Sequence, residues 1–160
     1  MIDESPEPLE VEEPGESDCR KQALKYLSRR EYSVQELSRK LRKKGYSGAQ
    51  CDRVVEDLVA QRLVSDRRFA EEYLHAKIRK GLGPVRIRHA LEEAGVDKDT
   101  IDDVMASADV EWTEQLRVQL IKKYGDTSPG TYKEWVKRAR YLNNKGFSSE
   151  QIQAVLEFSS

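Results

Sequence analysis

The sequence predicts an all-α protein of three tandem three-helix repeats, an elongated and curved array behind a disordered acidic N-terminal tail. Three observations carry this prediction. A glycine-centred pattern recurs at intervals of about fifty residues, an apolar stripe at helical spacing follows each copy, and charge and composition change sharply near residue 18.

The repeat is visible in LRKKGYSGAQCDRVVEDL from Leu41, LEEAGVDKDTIDDVM from Leu91 and LNNKGFSSEQIQAVL from Leu142. Each places Leu four residues before a glycine (Gly45, Gly95, Gly146), an apolar residue one position after it (Tyr46, Val96, Phe147) and a good N-cap two positions after it (Ser47, Asp97, Ser148). Apolar residues then recur in the same register: Cys51, Val54 and Val55; Ile101, Val104 and Met105; Ile152, Val155 and Leu156. The pattern reads as a helix ended by glycine in the left-handed conformation, a short link pinned by one apolar side chain, and a capped following helix. Ser47 with Gln50, and Ser148 with Gln151, match the capping box.

Two more helical patterns precede each copy. The first unit has Ala23, Leu24 and Leu27, then Ser33 to Glu36 as a capping box opening a helix through Leu37 and Leu41. The second has Phe69, Tyr73, Leu74 and Ile78, then Pro84 in a first helical turn leading to Ile87 and Leu91. The third has Trp112, Leu116, Leu120 and Tyr124, a turn-rich GDTSPG link, and Thr131 to Glu134 as a cap before Trp135, Ala139 and Leu142. The expected division is a tail over 1–17 and repeats over 18–64, 65–108 and 109–158. Units this small bury little core alone, so neighbouring units must share contacts.

Residues 1–18 hold eight acids and no Lys or Arg, so the remaining chain sets 28 cations against 21 of the 29 acids. A near-neutral total thus hides an acidic tail on a basic body. The tail's prolines and scarce apolar residues cannot offset chain entropy, and its charge can mimic nucleic acid against the basic body. No apolar run reaches the length of a membrane span and no signal-peptide pattern opens the chain, so a soluble, cytoplasmic protein with no membrane partner is expected. Cys19 and Cys51 lack metal-ligand or redox spacing and read as reduced structural thiols.

The second repeat carries the most distinctive text: Asp66-Arg67-Arg68-Phe69-Ala70, then Gly81-Leu82-Gly83-Pro84-Val85-Arg86-Ile87, then Leu91 and Gly95. It resembles the RecX family, regulators of the RecA recombinase, whose members show D-x-x-F-A followed by G-x-G-x-x-x-I-x-x-x-L-x-x-x-G. The first repeat is similar as well, through Ala23-Leu24, Leu27, Ser33, Glu36-Leu37, Leu41, Lys44-Gly45-Tyr46 and Leu58. The resemblance spans about residues 19–158. It implies a protein that binds the RecA filament on single-stranded DNA and restrains it, with direct contact to single- or double-stranded DNA as a further property. It implies no catalysis, no cofactor and no metal, and a monomer is expected. Asp66, Phe69, Gly81, Gly83, Ile87, Leu91 and Gly95 are the motif positions, expected to be structural.

Gly81-Leu82-Gly83 lacks the G-K-[ST] of a phosphate-binding loop and the preceding strand of a dinucleotide fingerprint, so it reads as a turn joining two helices. Asp66 reads as a helix cap. The strongest charge cluster is Arg39, Lys40, Arg42, Lys43 and Lys44 at the end of the first unit's second helix. Cations at a helix C-terminus are favoured by its dipole, which alone would explain them. Yet the equivalent helices carry Arg86 and Arg88, and Lys133, Lys137, Arg138, Arg140 and Lys145, with Arg79 and Lys80 just ahead of the middle one. Basic second helices in all three units predict a long positive stripe as the partner- or DNA-binding face.

A helix-turn-helix would instead place third helices against DNA, but those carry Asp52, Glu56, Asp57, Asp99, Asp102, Asp103, Glu150 and Glu157, which phosphates repel. A direct nucleic-acid binder without a RecA target remains the alternative. His75 and His89 read as exposed helix-face residues. Tyr73, Trp112, Tyr124, Trp135 and Phe147 fall at helical spacing and read as core. Tyr32 and Tyr46, in links beside basic helices, are the expected exposed aromatic contacts.

Overall fold

A computed structural model of the protein describes residues 15–157. The expected disordered tail lies, for residues 1–14, outside the described residues. Among the described residues there are nine helices and no strand: α1 Glu16–Leu27, α2 Val34–Lys44, α3 Gly48–Ala60, α4 Asp66–Arg79, α5 Pro84–Glu93, α6 Lys98–Ser107, α7 Trp112–Tyr124, α8 Tyr132–Lys145 and α9 Ser149–Val155. They form three successive three-helix units. Helix α1 starts two residues before the expected edge of the tail, because Glu16 and Asp18 occupy its first turn, where carboxylates favour the positive end of the helix. Glu16 also pairs with Arg53 of α3 at 3.1 Å.

The recurring leucine and glycine are two parts of one helix end. Gly45, Gly95 and Gly146 all have positive φ, at 117°, 85° and 103°. The N–H after each glycine donates to the carbonyl of the leucine four residues before it: Tyr46 to Leu41, Val96 to Leu91, Phe147 to Leu142. This is a Schellman end, and its side-chain counterpart is apolar contact between those same residues. The expected caps form on the next helices, with Ser47 accepting from the Gln50 N–H, Asp97 from Thr100 and Ser148 from Gln151. Ser33 and Thr131 cap α2 and α8 in the same way.

Each unit has its own core. The first buries Ala23, Leu37, Leu41, Val54 and Leu58 with Cys19 and Cys51; the second is built on Phe69, Leu74, Ile87, Leu91 and Ile101; the third on Leu116, Leu142, Phe147 and Ile152. At about 1.5–3 kcal/mol per buried aliphatic side chain these clusters dominate the cohesion of each unit. Trp112 packs against both the second and the third. Tyr32 departs from expectation. It is buried at 4% exposure in the first core, its ring tilted 6.1 Å from that of Tyr26. As the residue before the Ser33 cap it sits in the same cluster as Leu37, the arrangement of a hydrophobic staple. Tyr46 is half-buried, and its hydroxyl is pushed up in pKa, first by burial.

Polar groups join the units. Between the second and third, the N–H groups of Gly83 and Val85 at the start of α5 donate to the carbonyls of Lys145 and Gly146 at the end of α8, at 2.8 and 2.9 Å. Between the first and second, the Ser33 hydroxyl and the Gln35 amide at the start of α2 donate to the carbonyls of Ala94 and Glu93 at the end of α5, at 2.7 and 2.9 Å. These joints link α8, α5 and α2 head to tail, the end of each meeting the start of the next. End to end they make roughly 50 Å of helix.

Candidate partner-binding face

The joints explain the distinctive text of the second unit. Ser65, not Asp66, caps α4, accepting from the Arg68 N–H. Asp66 lies inside α4, and its carboxylate accepts instead from the Val34 N–H, at 2.8 Å, capping α2 of the neighbouring unit. Burial raises the Asp66 pKa, and the hydrogen bond from Val34 opposes that rise. Arg68 reaches Glu31 in the link before α2 at 3.0 Å, while Arg67 pairs with Asp103 of α6 and so stays within its own unit. The Asp66–Ala70 stretch is therefore the socket for the first unit.

Gly81-Leu82-Gly83 is the socket for the third. Gly83 has an ordinary extended backbone with φ −90°, yet a Cβ there would lie 2.4 Å from the Gly146 carbonyl carbon. Close approach of the α8 end, and not an unusual backbone angle, requires glycine at this position. Gly81 does have φ +85°, and a Cβ on it would strike the Gln119 side chain of α7. The expected turn is present, and it also receives the next repeat. Ile87 and Leu91 are fully buried behind it.

The cations expected to form the stripe differ in their surroundings. Arg39, Lys43, Lys44, Arg79, Lys80, Lys133, Lys137 and Arg140 are exposed. Other members are drawn into local contacts. Arg42 pairs with Asp52 at 3.2 Å and Arg88 with Asp102 at 2.7 Å, so acids of the third helices neutralise arginines of the second. Lys40 donates to the Tyr32 hydroxyl at 3.0 Å and lies over the Tyr26 ring, and Lys145 lies 5.7 Å from the Tyr141 ring centre.

Arg138 does not belong to the stripe. It is 5% exposed, bonded to Glu134 and to the backbone carbonyl and hydroxyl of Thr127, with its guanidinium over the Tyr124 ring. On α8 it falls three residues after Trp135 and four before Leu142, the inward face, where it ties the 125–131 link to the helix.

Several of the remaining cations recur at helical spacing on their own helices. On α8, Lys133, Lys137, Arg140 and Asn144 succeed each other at helical spacing, and the Asn144 carbonyl accepts from Arg86 of α5 at 3.2 Å. Arg86, His89 and Glu93 continue along α5, with His89 Nε2 and Glu93 3.1 Å apart. The Glu93 carbonyl accepts from Gln35 of α2, and Gln35, Arg39 and Lys43 complete the row. Arg86 and Gln35 thus reach across the two joints to backbone carbonyls of the preceding helix. His89 is an exposed helix-face residue as expected, while the contact of Gln35 depends on a neighbouring unit and is not visible in the sequence. Lys77 of α4, outside the expected stripe, has its ammonium lowered in pKa by burial and then by the nearby positive charges of Lys80 and Arg86. Crowded cations that depress one another are favourably placed to receive an anion.

Nine helices among the described residues, grouped in three joined units, define a helical-repeat protein. Comparison with known proteins gives the family. The chain matches the first, second and third three-helix domains of RecX over residues 19–58, 65–105 and 109–156. It belongs to the RecX family. It is 34% identical over 133 residues to the regulatory protein RecX of Halorhodospira halophila, covering 83% of each chain. It is 32% identical over 137 residues to that of Pseudomonas fluorescens, covering 86% of this chain and 88% of the relative. The crystal structure of RecX from Lactobacillus salivarius superposes with a TM-score of 0.72 at 23% identity, covering 88% of this chain and 93% of that one, which shows the shared fold.

Proposed function

We propose that this protein restrains the RecA recombinase by lying along the RecA filament on single-stranded DNA, with the row running from Lys133 to Lys43 against it. Each repeat engages a successive position on the filament, so the bound chain bridges neighbouring subunits and obstructs entry of a second DNA. Strand exchange and the linked ATP hydrolysis fall as a result. The observation that carries this reading is the row itself, one line of side chains tied across both joints by Arg86 and Gln35. Membership of a regulatory family supports the choice of partner. Long-range attraction between a basic row and an anionic nucleoprotein filament speeds encounter and makes the effect sensitive to salt.

The test is ATP hydrolysis by RecA on single-stranded DNA with this chain added. Inhibition that grows with added protein, and weakens in Lys137→Glu and Arg140→Glu, is expected. Unchanged hydrolysis at stoichiometric amounts overturns the reading.

A further inference from the structure

The chain ahead of Gly15 joins the fold beside the basic end of α2. Gly15 opens α1, its carbonyl accepting from the Asp18 and Cys19 N–H groups at 3.0 and 3.1 Å. Tyr46, just past the end of α2, packs against the core that holds Cys19, and its hydroxyl is raised in pKa by burial and then by the nearby Asp18 carboxylate. Further back along α2, the Lys40 ammonium lies 4.4 Å from the centre of the Tyr26 ring of α1. The two helices therefore run in opposite directions, and the start of α1 adjoins the finish of α2.

That finish is crowded with positive charge. Arg39 and Arg42 line a cleft that also holds Asp52 and Glu56 of α3, and Asp52 pairs with Arg42. Lys40, Lys43 and Lys44 fall on the other side of α2 at helical spacing, exposed and without an acid partner among the described residues. The segment before Gly15 carries Asp3, Glu4, Glu7, Glu10, Glu12 and Glu13 and no Lys or Arg. Its residues reach at most about 50 Å, whereas the whole of α2 is about 16 Å long.

We infer that residues 1–14 are an intramolecular ligand of the α2 end, setting their carboxylates against Lys40, Lys43 and Lys44 and masking that face from other anions. Acids and cations of one chain are complementary here, and the covalent link keeps the acids at roughly millimolar local concentration. Asp52 and Glu56 repel them from the cleft side. An anionic partner must displace the segment to reach this end of the molecule, so a dense polyanion succeeds where an isolated anion does not. The contact involves this chain alone; its consequence for RecA rests on the reading proposed above.

The test is paramagnetic relaxation in the full-length protein with a nitroxide on Ser5→Cys; Cys19 and Cys51 are fully buried and stay unlabelled. Broadening of the Lys40, Lys43 and Lys44 amide signals at low salt is expected, with those of α9 unaffected. It should vanish at about 1 M salt, where the screening length is about 3 Å. It should also vanish in Lys43→Glu with Lys44→Glu, whose circular dichroism should match the parent because both side chains are exposed. With the six acids changed to Asn or Gln, labelled heparin should bind roughly 2- to 10-fold more tightly at low salt. No broadening on α2, broadening centred instead on Lys21 and Lys25 of α1, survival of the effect in the double variant, or equal heparin affinity overturns the inference. Broadening as expected without inhibition of RecA upholds the contact and defeats the filament reading.

Discussion

The carboxylate of Asp66 in α4 accepts the backbone N–H of Val34 in α2 at 2.8 Å, so one repeat caps a helix of another. The capped N–H is among those that α2 leaves without a partner in its own first turn. The bond is made against a cost, because burial raises the pKa of the Asp66 carboxyl. A carboxylate whose pKa is raised in the fold is a liability above its unfolded value, and the fold favours its neutral form.

Asp66→Asn retains an acceptor oxygen without the charge and should leave stability within about 0.5 kcal/mol of the parent. Asp66→Ala leaves the Val34 N–H uncapped at the joint and should cost about 0.5–2 kcal/mol. Urea unfolding at neutral pH compares them. Equal loss in both variants would mean that the charge itself holds the joint.

Gly83→Ala changes one methyl group and no backbone preference, since φ −90° suits alanine. The added Cβ would nonetheless meet the Gly146 backbone at 2.4 Å. Forcing atoms into packed contact costs about 1–3 kcal/mol. A lower thermal midpoint is expected, with faster hydrogen exchange at Gly83 and Val85, whose N–H groups bind the end of α8. Normal protection at those two amides would show that the joint absorbs the methyl group.

Lys137 and Arg138 are neighbours in sequence with opposite expected phenotypes. Lys137 is exposed on the row, and Lys137→Ala should leave the melting midpoint unchanged while weakening anion binding and lowering its salt dependence by about one counterion. Arg138 is buried and hydrogen bonded to Thr127 and Glu134, so Arg138→Ala should destabilise the third unit by about 2–4 kcal/mol. Thermal melts and a binding titration across salt separate the two. Interchanged results would reverse the assignment of the faces.

Cys19 and Cys51 are both fully buried, and burial is the main cause that pushes the Cys19 thiol from 9.0 up to about 11, with Cys51 adding to it. In the unfolded chain thiols ionise near their ordinary value. The stability that the Cys19 thiol contributes is therefore complete below that value and lost as pH rises through about 11. The urea midpoint should fall between about pH 8 and about pH 10.5, and the fall should shrink in Cys19→Ala. The same alkaline loss in that variant would assign it to other groups.

What the sequence made legible is what neighbouring residues decide. The Leu41–Gly45–Tyr46 helix end and the Ser47 cap close within a few positions, so their spacing is readable wherever it recurs. Arg138 was also readable, three residues after Trp135 on the inward face, had its position on the helix outweighed its charge. Asp66 was not, because its partner Val34 lies 32 residues earlier and residue type alone favours capping its own helix. Gly83 announces that space is scarce without saying that Gly146, in another repeat, occupies it. Trp135 reads as core by periodicity, and it packs against the third core with its indole N–H on the Leu156 carbonyl.

Helices α8, α5 and α2 meet start to finish, so the molecule has a direction as well as a length. The α8 start and the α2 finish are the two ends of the series not joined to another of these helices, and the finish carries Arg42, Lys43 and Lys44. Under the proposed binding, a partner with its own polarity would meet two unlike ends and one orientation would be favoured. The series of helices is in this sense a vector, with an upstream and a downstream end.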